Sequence, residues 1–316
     1  MSGKKMPSEE IIKKYIDEDF WNEKIKRFDV DKTLGLHFGF YEKGIHNHAD
    51  AVINMNNYIE RLLELKNRSK KIERILDAGC GFGGTVIYLA KKHPEISFYG
   101  ISINPQEVKL ARYFAQERHV LSNTQFIAAD YENTVFPSNY FDCVIAVESL
   151  SYSNKSKQKK FIIEMNRILK PGGKLVVIDG FFSKIPSNSF MKKMVDIYEE
   201  KRKFEFYIES EFNKSVLYSE ESSLPELEEI NKFASYLKEY GFLNVNIKDI
   251  SKNISPSVMK NSFLLINSLF SKDKKIKMLK DMRTISFYDS LMYFFSVFFT
   301  KVGKIIRYYT IISVKK

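Results

Sequence analysis

Only two of the 316 residues are cysteines, Cys80 and Cys143, and one is a tryptophan. Two thiols cannot build a disulfide framework or a cysteine-rich metal centre, so the expected setting is reduced and cytoplasmic. Long apolar runs are also missing. The nearest, Leu291 to Phe299, falls short of the roughly 18 uncharged apolar residues that read as a bilayer span. Met1 to Glu10 is polar and lacks the apolar core of a signal peptide. Arginine is scarce, 10 against 40 lysines, and acidic residues are scarce in one place. Residues 251–316 hold 13 Lys and Arg against 3 Asp, a net of +10 out of the chain's +11. The first 250 residues are close to neutral. Lysine-rich usage alone does not explain why the acids thin out only there, so the tail implies attraction to something anionic.

What is present is ample material for a core, 44% hydrophobic and 14% aromatic residues, which excludes disorder and coiled coil. The length suits two average domains or one large α/β domain with insertions. Ile11, Ile12, Tyr15, Ile16 and Phe20 recur at helical spacing, predicting an amphipathic helix over Pro7 to Phe28. A loop, Leu34 to Tyr41, leads to a second helix over Ala51 to Leu65. From Arg74 the texture alternates. Strands are expected at Arg74–Ala78, Ser97–Ile103, Thr124–Ala128, Phe141–Val147, Lys174–Asp179, Leu243–Ile250 and Tyr308–Val314. Helices are expected at Thr85–Lys92, Pro105–Arg118, Lys157–Leu169 and Glu226–Tyr240. This rhythm predicts a parallel, doubly wound sheet.

The first strand runs directly into Gly79-Cys-Gly-Phe-Gly-Gly84 and then a helix. Glycines there let the backbone turn sharply and present free N–H groups to a ligand. Gly79, Gly81 and Gly84 satisfy G-x-G-x-x-G, a pattern that also suits a dinucleotide. Asp77 argues against that, since an anion would repel a pyrophosphate yet would help hold a cationic amino group. Ser102, not an acid, ends the second strand. Downstream, Glu148 follows the fourth strand, and Leu169-Lys-Pro-Gly-Gly173 forms a turn.

Ile75 to Gly84, Ala129-Asp130-Tyr131, Phe141-Asp-Cys-Val144 and Ile168 to Gly173 together resemble the class I S-adenosylmethionine-dependent methyltransferases, over about residues 34 to 316. The resemblance implies an α/β fold, a doubly wound, seven-stranded Rossmann-like sheet with a helical lid made of N-terminal helices and two insertions. It implies S-adenosylmethionine as cofactor, with Asp77, Gly79 and Gly81 along its methionine part, Asp130 on the adenine amino group and Tyr131 beside the ring. Most members hold the ribose with an acid ending the second strand, where this chain has Ser102. Gly100-Ile-Ser-Ile-Asn-Pro-Gln106 looks like the branch of cyclopropane fatty-acid synthases, terpenoid C-methyltransferases and sugar O-methyltransferases, in which a Ser and a Gln substitute for the acid; Ser102 and Gln106 are thereby nominated.

Methyl transfer from a sulfonium needs alignment and exclusion of water. Glu148, at the carboxyl edge of the sheet, is the candidate base or acceptor orienter, or else a partner for nearby backbone. Tyr152 replaces a histidine that often serves as base in O-methylating members, which favours carbon over oxygen or nitrogen as the methylated atom. Phe38, Phe40 and Tyr41 are candidates to wall the transfer site, though each suits the core nearly as well. His37, His46 and His48 lack an acidic or cysteine cluster, and no metal is expected. Nucleic acid ranks low, because the basic tail holds only Arg283 and Arg307.

The expected layout is a helical cap over 1–70, a cofactor-binding core over 71–184, a lid insertion over 185–223, the core again over 224–250, a basic aromatic lid over 251–306 and a last strand over 307–316. Lipophilic residues in the lids, with Lys272, Lys274, Lys275 and Lys277 beside them, point to an isoprenoid or lipid-like acceptor, a diphosphate or lipid head group among the candidates, or to a membrane surface. The rival classes are a natural-product O- or N-methyltransferase and a non-catalytic, membrane-docked binding protein on the same scaffold.

Overall fold

The computed structural model describes residues 28–67, 71–150, 155–183, 227–270 and 306–316. The helix expected over 7–28, Tyr152, the insertion 185–223, and residues 271–305 with Lys272, Lys274, Lys275 and Lys277 lie outside the described residues, apart from Phe28 itself.

The strands are β1 (Arg74–Ala78), β2 (Ser97–Ser102), β3 (Thr124–Ala128), β4 (Phe141–Val147), β5 (Leu169–Phe182), β6 (Phe242–Asp249) and β7 (Ile306–Lys315). They form one seven-stranded sheet in the order β3-β2-β1-β4-β5-β7-β6. The described helices are α1 (Val30–Thr33), α2 (His48–Leu63), α3 (Gly84–Lys92), α4 (Pro105–Glu117), α5 (Lys155–Ile168), α6 (Ile230–Glu239) and α7 (Ser251–Phe270).

Local sequence explains most of these elements. β1 and β4 are buried along nearly their whole length, with apolar residues on both faces, as strands covered on both faces are. In α2, Asn47 caps the N-terminus by accepting from the Asp50 N–H at 2.8 Å. Its Val52, Met55, Ile59 and Leu63 are then fully buried on one stripe. α4 opens on an Asn104 cap with Pro105 just inside, where a missing N–H costs nothing. α7 carries Pro256, which removes the N–H that would reach the Lys252 carbonyl; the Ser255 hydroxyl donates to that carbonyl instead, at 3.3 Å.

β1 to β5 pair in parallel, but β7 is antiparallel to both β5 and β6. The expectation of a wholly parallel sheet is therefore corrected, and the reason lies in the connection. β6 ends and β7 begins at the same edge, where Asp249 faces Tyr309, and a chain that leaves and re-enters on one edge must run back antiparallel. β5 is also longer than expected, because Leu169 already pairs with Phe141 and residues 180–182 pair with 306–308.

Both insertions consequently hang from the carboxyl edge of the sheet. The first leaves after Phe182 and returns where the Phe182 N–H donates to the Glu228 carbonyl at 3.0 Å. The second leaves from Ser251, whose hydroxyl accepts from the Tyr308 N–H at 3.0 Å. No helix among the described residues is long and apolar enough to cross a membrane.

Candidate active site

At the carboxyl edge, the ends of β1, β2 and β4 lie side by side. The N–H groups of Gly79 and Cys80 both donate to the Ile101 carbonyl, at 2.9 and 2.8 Å, tying the glycine loop to β2. Gly79 (φ 95°) is required twice over, since a Cβ there would stand 2.4 Å from that of Ser149. The Ser149 hydroxyl, for its part, donates to the Ala78 carbonyl at 2.7 Å. Gly84, which starts α3, admits the backbone of the 34–41 segment, for a Cβ there would meet the Leu34 carbonyl oxygen at 2.4 Å. Gly81 lies against the Leu36 side chain.

Asp77 is buried, and burial alone, with no cation or donor beside it among the described residues, pushes its carboxyl up to about 7. A buried acid without a partner fits a ligand that brings its own positive charge. The Gln106 Oε1 is likewise buried without a hydrogen-bond partner. Ser102 is buried too; its Oγ donates to Glu107 Oε2 at 2.5 Å and accepts from the Asn104 N–H at 3.1 Å. Asp130, half-buried after β3, accepts the Glu132 N–H at 2.8 Å. The Tyr131 hydroxyl donates to the Ser149 carbonyl at 3.2 Å, and its ring packs edge-on against Phe161. Burial and the charges of Asp77 and Glu107 push the Cys80 thiol well above the ordinary range, which disfavours the nucleophilic thiolate.

Over this edge lies the 34–41 segment, here called the cap loop, and three elements hold it. Glu148 Oε1 accepts the Phe38 N–H at 2.8 Å. From α2, the Ala51 carbonyl accepts the Phe40 N–H at 2.8 Å and Asn54 donates to the Phe40 carbonyl at 2.9 Å. From α7, the fully buried Ser257 hydroxyl accepts the Gly39 N–H at 2.8 Å and donates back to the Gly39 carbonyl at 3.3 Å. Asn253 brackets Tyr41 in the same way, its carbonyl accepting the Tyr41 N–H at 3.0 Å and its amide donating to the Tyr41 carbonyl at 2.7 Å. Glu148 itself sits at φ 49°, left-handed and costly for a residue with a Cβ.

The aromatic wall needs correction at Phe40. That ring is 2% exposed and stacks on Tyr58 with centroids 4.1 Å apart, so its face is committed to the core. Phe38 is buried with its ring edge-on to Tyr308 at 5.6 Å. Tyr41 is half-buried, its phenol raised by burial and opposed by the Ser257 hydroxyl. His37 and His48 serve separate partners: His37 Nδ1 meets the Phe38 carbonyl at 3.1 Å, and His48 Nδ1 meets Asp29 at 2.9 Å. Burial lowers both imidazoles. Among the described residues no three His, Cys, Asp or Glu side chains form a metal-binding group. Lys260, the half-buried lysine of α7, is paired with Asp29 at 2.8 Å.

Sequence reasoning missed Glu107, Asn253 and Ser257. Glu107 was readable in principle, because an Asn-Pro helix start at 104–105 places residue 107 in the first turn, facing back toward Ser102.

Comparison with known proteins bears on the family and the fold. Residues 75–173 match the family model described as a methyltransferase domain. The norajmaline N-methyltransferase of Rauvolfia serpentina is 32% identical over 170 residues, 51% of this chain and 56% of that one. The chloroplastic tocopherol O-methyltransferase of Arabidopsis thaliana is 30% identical over 182 residues, 54% of this chain and 50% of that one. The chain thus spans about half the length of these curated relatives. Among solved structures, the cyclopropane synthase MmaA2 of Mycobacterium tuberculosis superposes with a TM-score of 0.70 at 13% identity, covering 98% of this chain and 99% of that one. The sheet and the glycine loop, with the match over residues 75–173, are those of a class I S-adenosylmethionine-dependent methyltransferase domain, a class whose cofactor is S-adenosylmethionine.

Proposed function

We propose that the chain transfers a methyl group from S-adenosylmethionine to a lipophilic small molecule, isoprenoid or lipid-like. The observation that carries this reading is Asp77, buried at the mouth of the glycine loop with no cation or donor beside it among the described residues. In this account Asp77 receives the cofactor's ammonium, while Gly79 and Gly81 let backbone approach its methionine part. Ser102 and Gln106 belong to the ribose side of the site, and Asp130 takes the adenine amino group with Tyr131 alongside.

The cofactor, when bound, supplies a methyl group already activated on a sulfonium. The protein is left to align the acceptor and keep water out. The cap loop does the second, and Glu148 at its anchor orients the acceptor or receives a proton from it. Tyr41 and Tyr152 are assigned beside the transferred group, Phe38 to the acceptor pocket. Both insertions leave from this edge, which supports their role as the acceptor lid; their apolar and lysine-rich composition supports an amphiphilic, anionic acceptor or a membrane surface as its source.

Carbon is our first choice of methylated atom, because Tyr152 stands where a histidine base would serve oxygen. The named relatives that are N- and O-methyltransferases favour a heteroatom as the second reading. Incubation with methyl-labelled cofactor and a panel of prenyl diphosphates, fatty lipids and glycosides tests the proposal. Label in a lipophilic acceptor, located by mass spectrometry, supports it; label only in glycosides sinks the choice of acceptor.

A further inference from the structure

Vicinal hydroxyls such as those of a ribose are bound best by a carboxylate, which accepts from both and competes well with water. β2 ends in Ser102, which lies at the carboxyl edge beside the glycine loop but cannot do this work. Its one hydroxyl proton is given to Glu107 Oε2 at 2.5 Å, and the Asn104 N–H already donates to its oxygen at 3.1 Å. The carboxylate at this point of the edge belongs to Glu107 instead. Glu107 stands in the first turn of α4, where the helix dipole favours an anion. It is half-buried, and its charge is felt by the Cys80 thiol inside the glycine loop. Beside it the Gln106 Oε1 is buried without a partner.

We propose that Glu107, positioned by Ser102, is the carboxylate that binds the cofactor's ribose diol, so that this chain delivers the acid from the following helix rather than from the end of β2. Ser102 is then a positioning residue, fixing the Glu107 rotamer through its hydroxyl, and Gln106 completes the same subsite. This inference rests on the cofactor reading above.

The test is calorimetric binding of S-adenosylhomocysteine and of its 2′,3′-dideoxy analogue to the full-length wild type, Glu107→Gln and Ser102→Ala. A charge-assisted hydrogen-bond pair predicts that removing the diol costs the wild type about tenfold or more in affinity. Glu107→Gln should lose a similar factor for the parent ligand and bind the dideoxy analogue as the wild type does. Ser102→Ala should show the same selectivity, with a smaller loss. Equal losses for both ligands, or no loss for either, overturn the assignment. Should Glu107→Gln fail to fold, the comparison of parent and analogue in Ser102→Ala decides alone, since a merely structural serine would weaken both ligands alike. Failure of the wild type to bind the parent ligand overturns the underlying cofactor reading instead.

Discussion

The Glu148 carboxylate accepts a hydrogen bond from the Phe38 backbone N–H at 2.8 Å, joining positions 110 residues apart. Glu148 holds this contact from a left-handed backbone at φ 49°, a conformation that costs a non-glycine residue roughly 1–2 kcal/mol. The strain lies where the end of β4, the glycine loop and the cap loop meet. One carboxylate therefore anchors the cap loop at the edge where we propose that the cofactor binds, and in that proposal it is also the base.

These two duties separate by substitution. Glutamine at 148 retains an oxygen for the Phe38 N–H, so Glu148→Gln is expected to melt close to the wild type while turnover falls by about 10²-fold or more. Glu148→Ala loses the acceptor as well and should cost a further roughly 1–3 kcal/mol of stability in urea unfolding. Full turnover in Glu148→Gln would end its assignment as base.

Asp77 sets a pH dependence whose sign follows from its raised pKa of about 7. Between its ordinary value near 3.8 and about 7, the folded protein holds a proton that the unfolded chain has released. Stability from this group is therefore lost as pH rises through that window. Asp77→Asn should flatten that slope and leave the protein more stable than wild type near pH 8, as measured by denaturant titration. Binding an ammonium returns Asp77 to its charged form, so wild-type affinity for S-adenosylhomocysteine should rise between about pH 5.5 and 7, approaching tenfold per unit at the limit. Asp77→Asn should bind weakly at every pH.

How much of this was readable beforehand depended on the range of the interaction. β1, β3 and β4 fall where the sequence places them, because apolar runs bounded by Gly, Asp and Pro are local signals. The direction of β7 was not readable. It depends on where a 56-residue connection (250–305) re-enters the sheet, and no local pattern in Tyr308 to Val314 encodes that. In the candidate site, spacing nominates Asp77 and the glycine loop, and the structure places them side by side at the carboxyl edge. The place of Phe40 was not readable, because a ring in a cap loop suits a substrate wall and a core stack on Tyr58 equally until the packing is known. The Asn-Pro helix start places Glu107 in the first turn of α4, but its contact with Ser102 shows only in the fold.

Ser257 satisfies both backbone groups of Gly39 with one buried hydroxyl. Ser257→Ala orphans both, and the expected cost is roughly 1–3 kcal/mol. Because α7 holds the cap loop through this contact, hydrogen exchange should accelerate at residues 38–41 more than in β1 or β4. Uniform acceleration across the sheet would mean that the serine merely supports the fold.

Gly79 and Gly44 both sit at positive φ, 95° and 90°, but only Gly79 is crowded, while nothing lies within 4 Å of a Cβ at Gly44. Gly44→Ala should cost about 1–2 kcal/mol from backbone strain alone. Gly79→Ala adds a clash with Ser149 and should also abolish cofactor binding, read as the loss of the ligand-induced rise in melting temperature. Equal effects of the two substitutions on that rise would remove the glycine loop from the cofactor site.

The central claim is that this edge is a cofactor site, and titration calorimetry of the wild type with S-adenosylhomocysteine near pH 7.5 tests it most directly. The account predicts saturable one-to-one binding that Asp77→Asn weakens by at least about tenfold. No binding at hundredfold excess over protein, or binding that Asp77→Asn leaves unchanged, would contradict it.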